Sequence, residues 1–383
     1  MKLRPYQEAA LSATVDAFAS GKQRVLVVKP TGTGKTVLFA ALVARVAQGV
    51  RSRGGAPGRS LVLAHREELV RQAREKIVSS ARLRCGVEMA DERADRLDPP
   101  PVVVASVQSM QRARLASYAP DHFDLVVVDE AHHATAKSYR NIIDHFGGAR
   151  VLGVTATPDR GDKQGLKAVF ESAAYVYEIR DAIRDGWLVP IVQRQVIVES
   201  LDLSKVAVRA GDFADGELED QLCQERALHE VAVPTLEQSG SRPTVVFTAG
   251  VAQARALAEV LNRYRDGSAV ALSGETHPEE RRKSVEAFKA GAVQYLVNCA
   301  LFLEGFDAPL CACVAMARPT KSRALYAQAI GRGTRILGLS LEESIANGKR
   351  DLLVLDFVGN SSTHSLVSVA DVLDESGFQV DIC

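Results

Sequence analysis

The stretch VLVVKPTGTGKTVLFAALVARVAQ (25–48) decides how the rest of the chain is read. Val25 to Val28 are four apolar, mostly β-branched residues of the kind that form a buried parallel strand. The turn Lys29-Pro30-Thr31-Gly32-Thr33-Gly34-Lys35-Thr36 follows, and Val37 to Gln48 then repeats apolar residues at helical spacing. A strand, a Gly-rich turn and a helix N-terminus together aim several backbone N–H groups at one point, which suits a phosphate. Gly32 and Gly34 let the backbone come close, and Lys35 brings a point charge to the terminal phosphates. The Thr36 hydroxyl can hold Mg²⁺. Thr31 and Thr33 complete the set of nucleotide-binding positions on this loop. The full template asks for Gly five positions before Gly34, and Lys29 stands there instead. An ordinary strand–helix turn is the bland alternative; the flanking strand and helix argue for a nucleoside triphosphate.

The chain of 383 residues is long enough for two domains with full cores. A hydrophobic content of 46% and a charged content of 25% are ordinary for a soluble globular protein. No apolar run has the length of a membrane span, and the first residues lack a signal-peptide pattern, so a cytoplasmic protein with no membrane partner is expected. The six cysteines form no CxxC pair and have no His partner at zinc spacing. They read as structural thiols in a reducing compartment. Zero net charge hides a split: residues 1–190 hold 28 Lys+Arg against 21 Asp+Glu, or +7, and the remainder 19 against 26, or −7. A basic front half suits a polyanion.

Four further apolar strands are expected in the front half, at Ser60–Ala64, Val102–Ala105, Leu125–Val128 and Val151–Val154, with helices between them. This alternation predicts a doubly wound, mostly parallel α/β sheet that binds ligands at the carboxyl ends of its strands. Each of those ends carries polar chemistry, and Asp129-Glu130 carries most. Two adjacent carboxylates after an apolar strand repel unless a cation offsets them. Asp129 would hold Mg²⁺, largely through water, and Glu130 would orient and deprotonate an attacking water. A solvated acidic turn is the alternative. The Arg51–Arg59 segment reads as a loop carrying three arginines.

Gly186 to Pro190 looks like the exit from the first domain, giving domains 1–190 and 191–383. Arg209 to Glu217 reads as a loop and Leu218 to Glu237 as mostly helical. A second αβ series follows, with strands at Thr244–Phe247, Ala269–Leu272, Gln294–Val297, Cys313–Met316 and Leu352–Leu355, and no second phosphate loop. Arg332 and Arg335 lie three apart and would share a helix face. They read either as a solvated basic turn or as arginine fingers reaching a γ-phosphate across a domain cleft.

Taken in order, LRPYQ (3–7), PTGTGKT (30–36), AHREEL (64–69), VASVQSM (104–110), VVDEAH (127–132), TATP (155–158), VVFTAG (245–250), EGFDAP (304–309) and QAIGRGTR (328–335) cover nearly the whole chain. This series resembles the superfamily 2 nucleic-acid helicases and translocases of the DEAH-box type. RPTKSRALYAQAIGRGTR (318–335) and LVLDFVGN (353–360) look most like bacterial RadD-like and XPB-like repair helicases and their phage relatives. The resemblance implies two tandem RecA-like domains with the ATP site in the cleft between them. It also implies a Mg²⁺-dependent ATPase that moves on or remodels nucleic acid.

By the same resemblance Arg4 and Gln7 would read adenine, Gly305 and Asp307 would sense the nucleotide, and Thr155 and Thr157 would couple hydrolysis to movement. His132 would contact Gln328, and Arg332 and Arg335 would stabilise the transition state. Nucleic acid would touch Arg66, Gln108, Thr248 and Gly274. The family usually has Thr or Ser where this chain has Leu303. DNA is favoured as partner, single-stranded or branched, with a role in repair or recombination. Protein partners would supply a wedge or accessory domain, since no strand-splitting, nuclease or zinc element is evident. An RNA helicase or an ATP-gated clamp that binds without moving is the rival reading.

Overall fold

The computed structural model describes residues 3–49, 57–156, 163–209, 212–299 and 309–359. The chain divides into two compact units, Met1–Glu178 and Ile179–Cys383, where composition suggested an exit near Pro190. Residues 179–190 group with the second unit for a physical reason. Leu188 forms an isolated bridge with Arg335, and Val189 N donates to Thr334 O at 2.8 Å.

The first unit is built on a seven-stranded sheet. Its strands are β1 (Arg24–Val28), β2 (Ser60–Ala64), β3 (Cys85–Glu88), β4 (Val102–Ser106), β5 (Leu125–Asp129), β6 (Arg150–Thr155) and β7 (Ser172–Val176). Their order across the sheet is β3-β4-β2-β5-β6-β1-β7, and every pairing is parallel. Alternate residues of one strand feed different cores. Val25 and Val27 pack with Leu38, Phe39 and Val43 of the phosphate-loop helix (Lys35–Gln48), while Leu26 and Val28 pack with Ile142, Phe146 and Phe170. Both faces are therefore buried, which is why the strands read as continuous apolar runs.

The second unit has a six-stranded sheet. The strands are β8 (Ile191–Val198), β11 (Thr244–Thr248), β12 (Ala269–Leu272), β13 (Tyr295–Cys299), β14 (Cys313–Met316) and β15 (Leu352–Gly359), with a separate two-stranded ribbon of β9 (Val208–Arg209) and β10 (Asp212–Phe213) between β8 and β11 in sequence. The order is β12-β13-β11-β14-β15-β8, again all parallel. Helices Asp215–Leu222, Glu225–Ser239, Val251–Tyr264, Pro278–Lys289 and Arg323–Gly333 connect them. All five strands expected in each half are present, and the α/β class with two parallel sheets stands.

Three strands carried no clear apolar signal. The edge strand β8 has polar Gln193, Arg194 and Gln195 at its centre. β7 is only half buried. β3 ends in the buried Glu88, held by polar bonds: Tyr118 OH and Arg96 Nη2 both donate to Glu88 Oε1 at 2.9 Å. The expected loop at 209–217 instead holds β10 and the start of the Asp215–Leu222 helix. The five cysteines within the described residues are free thiols; Cys383 lies outside them. No helix among the described residues is long and apolar enough to cross a membrane.

One glycine of β6 sets a packing limit beside the candidate site. A Cβ on Gly153 would lie 2.4 Å from Phe170 Cζ and 2.9 Å from Ala131 Cβ. Gly153→Ala should therefore cost about 1–3 kcal/mol through overpacking. Denaturant unfolding would show it, and Phe170→Leu in the same background should recover part of the loss. A Gly153→Ala chain as stable as the parent would contradict this packing.

Candidate nucleotide and nucleic-acid site

The neighbours β5, β6 and β1 end together. Asp129 on β5 is in register with Val154 on β6, and Thr155 on β6 is in register with Val28 on β1. The phosphate loop, the acidic pair and the Thr155 segment therefore leave the sheet within one residue of each other. Lys29 N donates to Thr155 O at 2.9 Å, which ties the first residue of the loop to that edge.

Gly32 (φ 90°) and Gly34 (φ 73°) take the left-handed backbone that side-chain-bearing residues avoid, as the loop requires. Thr33 Oγ1 donates to Pro30 O at 2.7 Å. The LRPYQ segment secures the loop from outside: Tyr6 OH and Gln7 Nε2 each donate to Thr33 O at 3.2 Å, and Arg4 N donates to Gln7 Oε1 at 3.0 Å. Gln7 thus touches the phosphate loop directly, so anything that engages its amide is felt by the loop backbone. Tyr6 stacks on Tyr177, with ring centroids 4.8 Å apart and an interplanar angle of 13°. Nothing in the sequence marked Tyr177, because an aromatic residue after a weak edge strand has no local signature.

Lys35 Nζ lies 3.4 Å from Glu130 Oε1. A phosphate that attracts Lys35 would draw it away from Glu130 and leave that carboxylate able to accept a proton. Glu130 itself sits at φ 49° and ψ 58°, a left-handed conformation costing a non-glycine residue about 1–2 kcal/mol. Glu130 N donates to Asp129 Oδ1 at 3.0 Å. Burial, then the Glu130 charge, pushes the Asp129 carboxyl up, while Lys35 opposes the shift. His132 Nδ1 lies 3.2 Å from Thr155 Oγ1 and 3.4 Å from Glu130 Oε2. The acidic pair is thereby wired to the segment after β6.

Asp129 and Thr36 are hard oxygen donors of the kind Mg²⁺ takes in company with phosphate oxygens and water. No group of three or more His, Cys, Asp or Glu side chains among the described residues gathers to hold a metal. The donor set fits a cation that arrives with its nucleotide.

Gln108 Nε2 donates to His65 O at 2.8 Å, so the strand ends bearing Arg66 and Gln108 are joined. Thr248 is turned inward, its hydroxyl 3.0 Å from Gly250 O and 3.1 Å from Asn298 O. Beside it Glu219 covers the start of the Val251–Tyr264 helix: Gln253 N donates to Glu219 Oε1 at 3.1 Å, and a Cβ on Gly250 would meet that carboxylate at about 2 Å. Gly274 lies in an exposed turn with open space around its Cα. Gln328 and Arg332 are buried on the Arg323–Gly333 helix, and Arg335 follows it. Thr157, Leu303, Gly305, Asp307, Arg51 and Arg53 lie outside the described residues.

Lys29 was only a departure from a template in the sequence. In the structure it is a fully buried amine, 4.6 Å above the Tyr6 ring. Burial, with Lys35 and Arg4 nearby, lowers its pKa to about 7. Its ordinary value is 10.5, so between those values the unfolded chain carries the extra proton and stability rises with pH. Lys29→Met should therefore outlast the parent on heating most clearly at or below neutral pH. Its advantage should shrink as pH climbs through that window; an advantage constant with pH would remove the buried-amine account.

Two family models match this chain in order. The family described as type III restriction enzyme, res subunit, matches residues 1–160, and the helicase conserved C-terminal domain matches residues 224–337. A putative ATP-dependent helicase IRC3 of Saccharomyces cerevisiae is 34% identical over 94% of this chain and 52% of its own length. A putative mitochondrial ATP-dependent helicase irc3 of Schizosaccharomyces pombe is 37% identical over 93% of this chain and 57% of its own. The chain thus spans little more than half the length of either protein. A fragment of a putative HsdR subunit of a type I restriction enzyme from Vibrio vulnificus shares the fold, with a TM-score of 0.73, 24% identity, and coverage of 94% of this chain and 64% of that one. With both halves of a helicase core matched in order, the chain belongs to the superfamily 2 helicases, and its two parallel sheets are their tandem RecA-like domains.

Proposed function

We propose that this chain is the motor core of an ATP-dependent nucleic-acid translocase. It hydrolyses ATP to ADP and phosphate with Mg²⁺ and is stimulated by nucleic acid. The observation that supports this most is the shared strand edge, where Lys35, Glu130, His132 and Thr155 form one chain of contacts from phosphate loop to coupling segment. In this reading Thr31 to Thr36 cradle the phosphates, and Arg4 and Gln7 hold the base. Asp129 and Thr36 carry the cation, which neutralises phosphate charge. Glu130 takes the proton of the attacking water. Gln328, Arg332 and Arg335 stabilise charge on the transferred phosphoryl group, and Gly305, Asp307 and Thr157 sense the nucleotide and couple its loss to movement.

DNA, single-stranded or branched, is the partner we favour, in repair or recombination, with Arg66, Gln108, Thr248 and Gly274 facing it. The likeness to restriction-enzyme subunits supports DNA. Thr248 needs the local opening of its inward-facing loop to take part. Backbone contacts carry little information about the sugar, so RNA is the outcome to test against. A cytoplasmic location and protein partners that supply a wedge belong to the same reading, although one fungal relative is named as mitochondrial.

Steady-state hydrolysis across single-stranded, duplex and forked DNA and matching RNA is the informative experiment. Lys35→Ala and Glu130→Gln should each lower turnover by several orders of magnitude, and Arg335→Ala by about 10³–10⁵ while sparing ATP binding. Removing Mg²⁺ should abolish turnover, and rising salt should weaken stimulation steeply. Wild-type turnover in these variants would overturn the site. Better activation by RNA would overturn the DNA preference alone, and hydrolysis without translocation or strand displacement would favour an ATP-gated clamp.

A further inference from the structure

The Arg323–Gly333 helix, RALYAQAIGRG, contains two glycines, so propensity alone holds it weakly. At about 100° per residue, Tyr326, Ala329, Ile330 and Gly333 share one face, and Gln328 and Arg332 project from the opposite one. The first face rests on β15 at two points. Towards the helix start, Tyr326 OH donates to Asp356 Oδ2 at 2.5 Å, and the Gln193 amide from β8 donates to the same oxygen. Tyr326 is 1% exposed and Asp356 6%, so this bond is shielded from water. Burial pushes the Asp356 carboxyl up against the pull of its two donors.

At the other end, a Cβ on Gly333 would lie 2.3 Å from Leu352 Cδ1, so the helix backbone lies directly on that side chain. Tyr326 and Gly333 are separated by roughly 10 Å of helix, and Leu352 and Asp356 by roughly 13 Å of strand. One contact would leave a pivot. Two, so separated, fix both the rotation of the helix and its height along the strand.

We propose that Tyr326, Asp356 and Gly333 are positioning residues whose seat on β15 sets where Gln328, Arg332 and Arg335 are delivered. This rests on the reading that those three groups act in hydrolysis. It gives a role to LVLDFVGN, which the nucleotide site leaves unused. A hydroxyl on a buried carboxylate is a short, directional tether, and a phosphoryl-transfer group misplaced by about 1 Å loses on the order of 10² in rate.

Tyr326→Phe removes only the hydroxyl. Its kcat should fall about tenfold to a hundredfold, with KM for ATP within about twofold of the parent and the unfolding temperature lowered by only a few degrees. Asp356→Asn weakens the same bond without emptying the position and should give the same split at smaller size. In an Arg335→Ala background the cost of Tyr326→Phe should shrink, because one of the three groups it acts through is already gone. An unchanged kcat in Tyr326→Phe beside a crippled Arg335→Ala overturns the inference and spares the site reading. A raised KM at constant kcat, or a cost that adds in full to that of Arg335→Ala, also overturns it. Wild-type turnover in Arg335→Ala overturns both together.

Discussion

The register of three adjacent parallel strands is the constraint from which the nucleotide site follows. With β6 between β5 and β1, and with Asp129 opposite Val154 and Thr155 opposite Val28, three separate sequence segments must leave the sheet at one level. Slipping any of these strands by one residue would turn its core residues to the wrong face, so the apolar pattern that buries the strands also aligns the polar residues after them. Burial and chemistry are set by the same hydrogen bonds.

Like charges crowd this strand edge. Lys29, Lys35 and Arg4 crowd one side, and Asp129 and Glu130 the other, with Asp129 and Lys29 both held away from their ordinary pKa values by burial. Lys35 and Glu130 meet as a direct pair, and Glu130 does so from a strained backbone. In the proposed reading, a triphosphate with its cation would supply negative charge beside the amines and positive charge beside the carboxylates.

The second unit repeats the parallel sheet yet has no phosphate loop. After β11 the helix N-terminus that would suit an anion is met by the Glu219 carboxylate. In the proposed reading the second unit's chemistry lies on and just after the Arg323–Gly333 helix, whose grip on β15 is polar at one end and a close backbone approach at the other. An apolar contact tolerates sliding; a buried hydroxyl–carboxylate bond does not.

Most of the fold was legible in the sequence. Runs such as Val25–Val28 and Leu125–Val128 declare a strand buried on both faces, and Gly32 and Gly34 declare a turn that only glycine adopts readily. Asp129-Glu130 was legible as an acidic pair at the end of an apolar strand for the same local reason. Strands held by polar contacts were not legible: Glu88 at the end of β3 and Gln193 in β8 look like surface residues until Tyr118, Arg96 and Asp356 are brought to them. The sequence by itself determined the two parallel sheets and the turn geometry of the Gly-rich loop, because strand burial and turn geometry are properties of neighbouring residues. Tertiary structure alone decided that Lys29 is a buried amine over the Tyr6 ring, that Thr248 faces inward, and that Asp356 bonds a helix residue thirty positions away. Burial and partners at those positions depend on segments far apart in the chain, which no local pattern encodes.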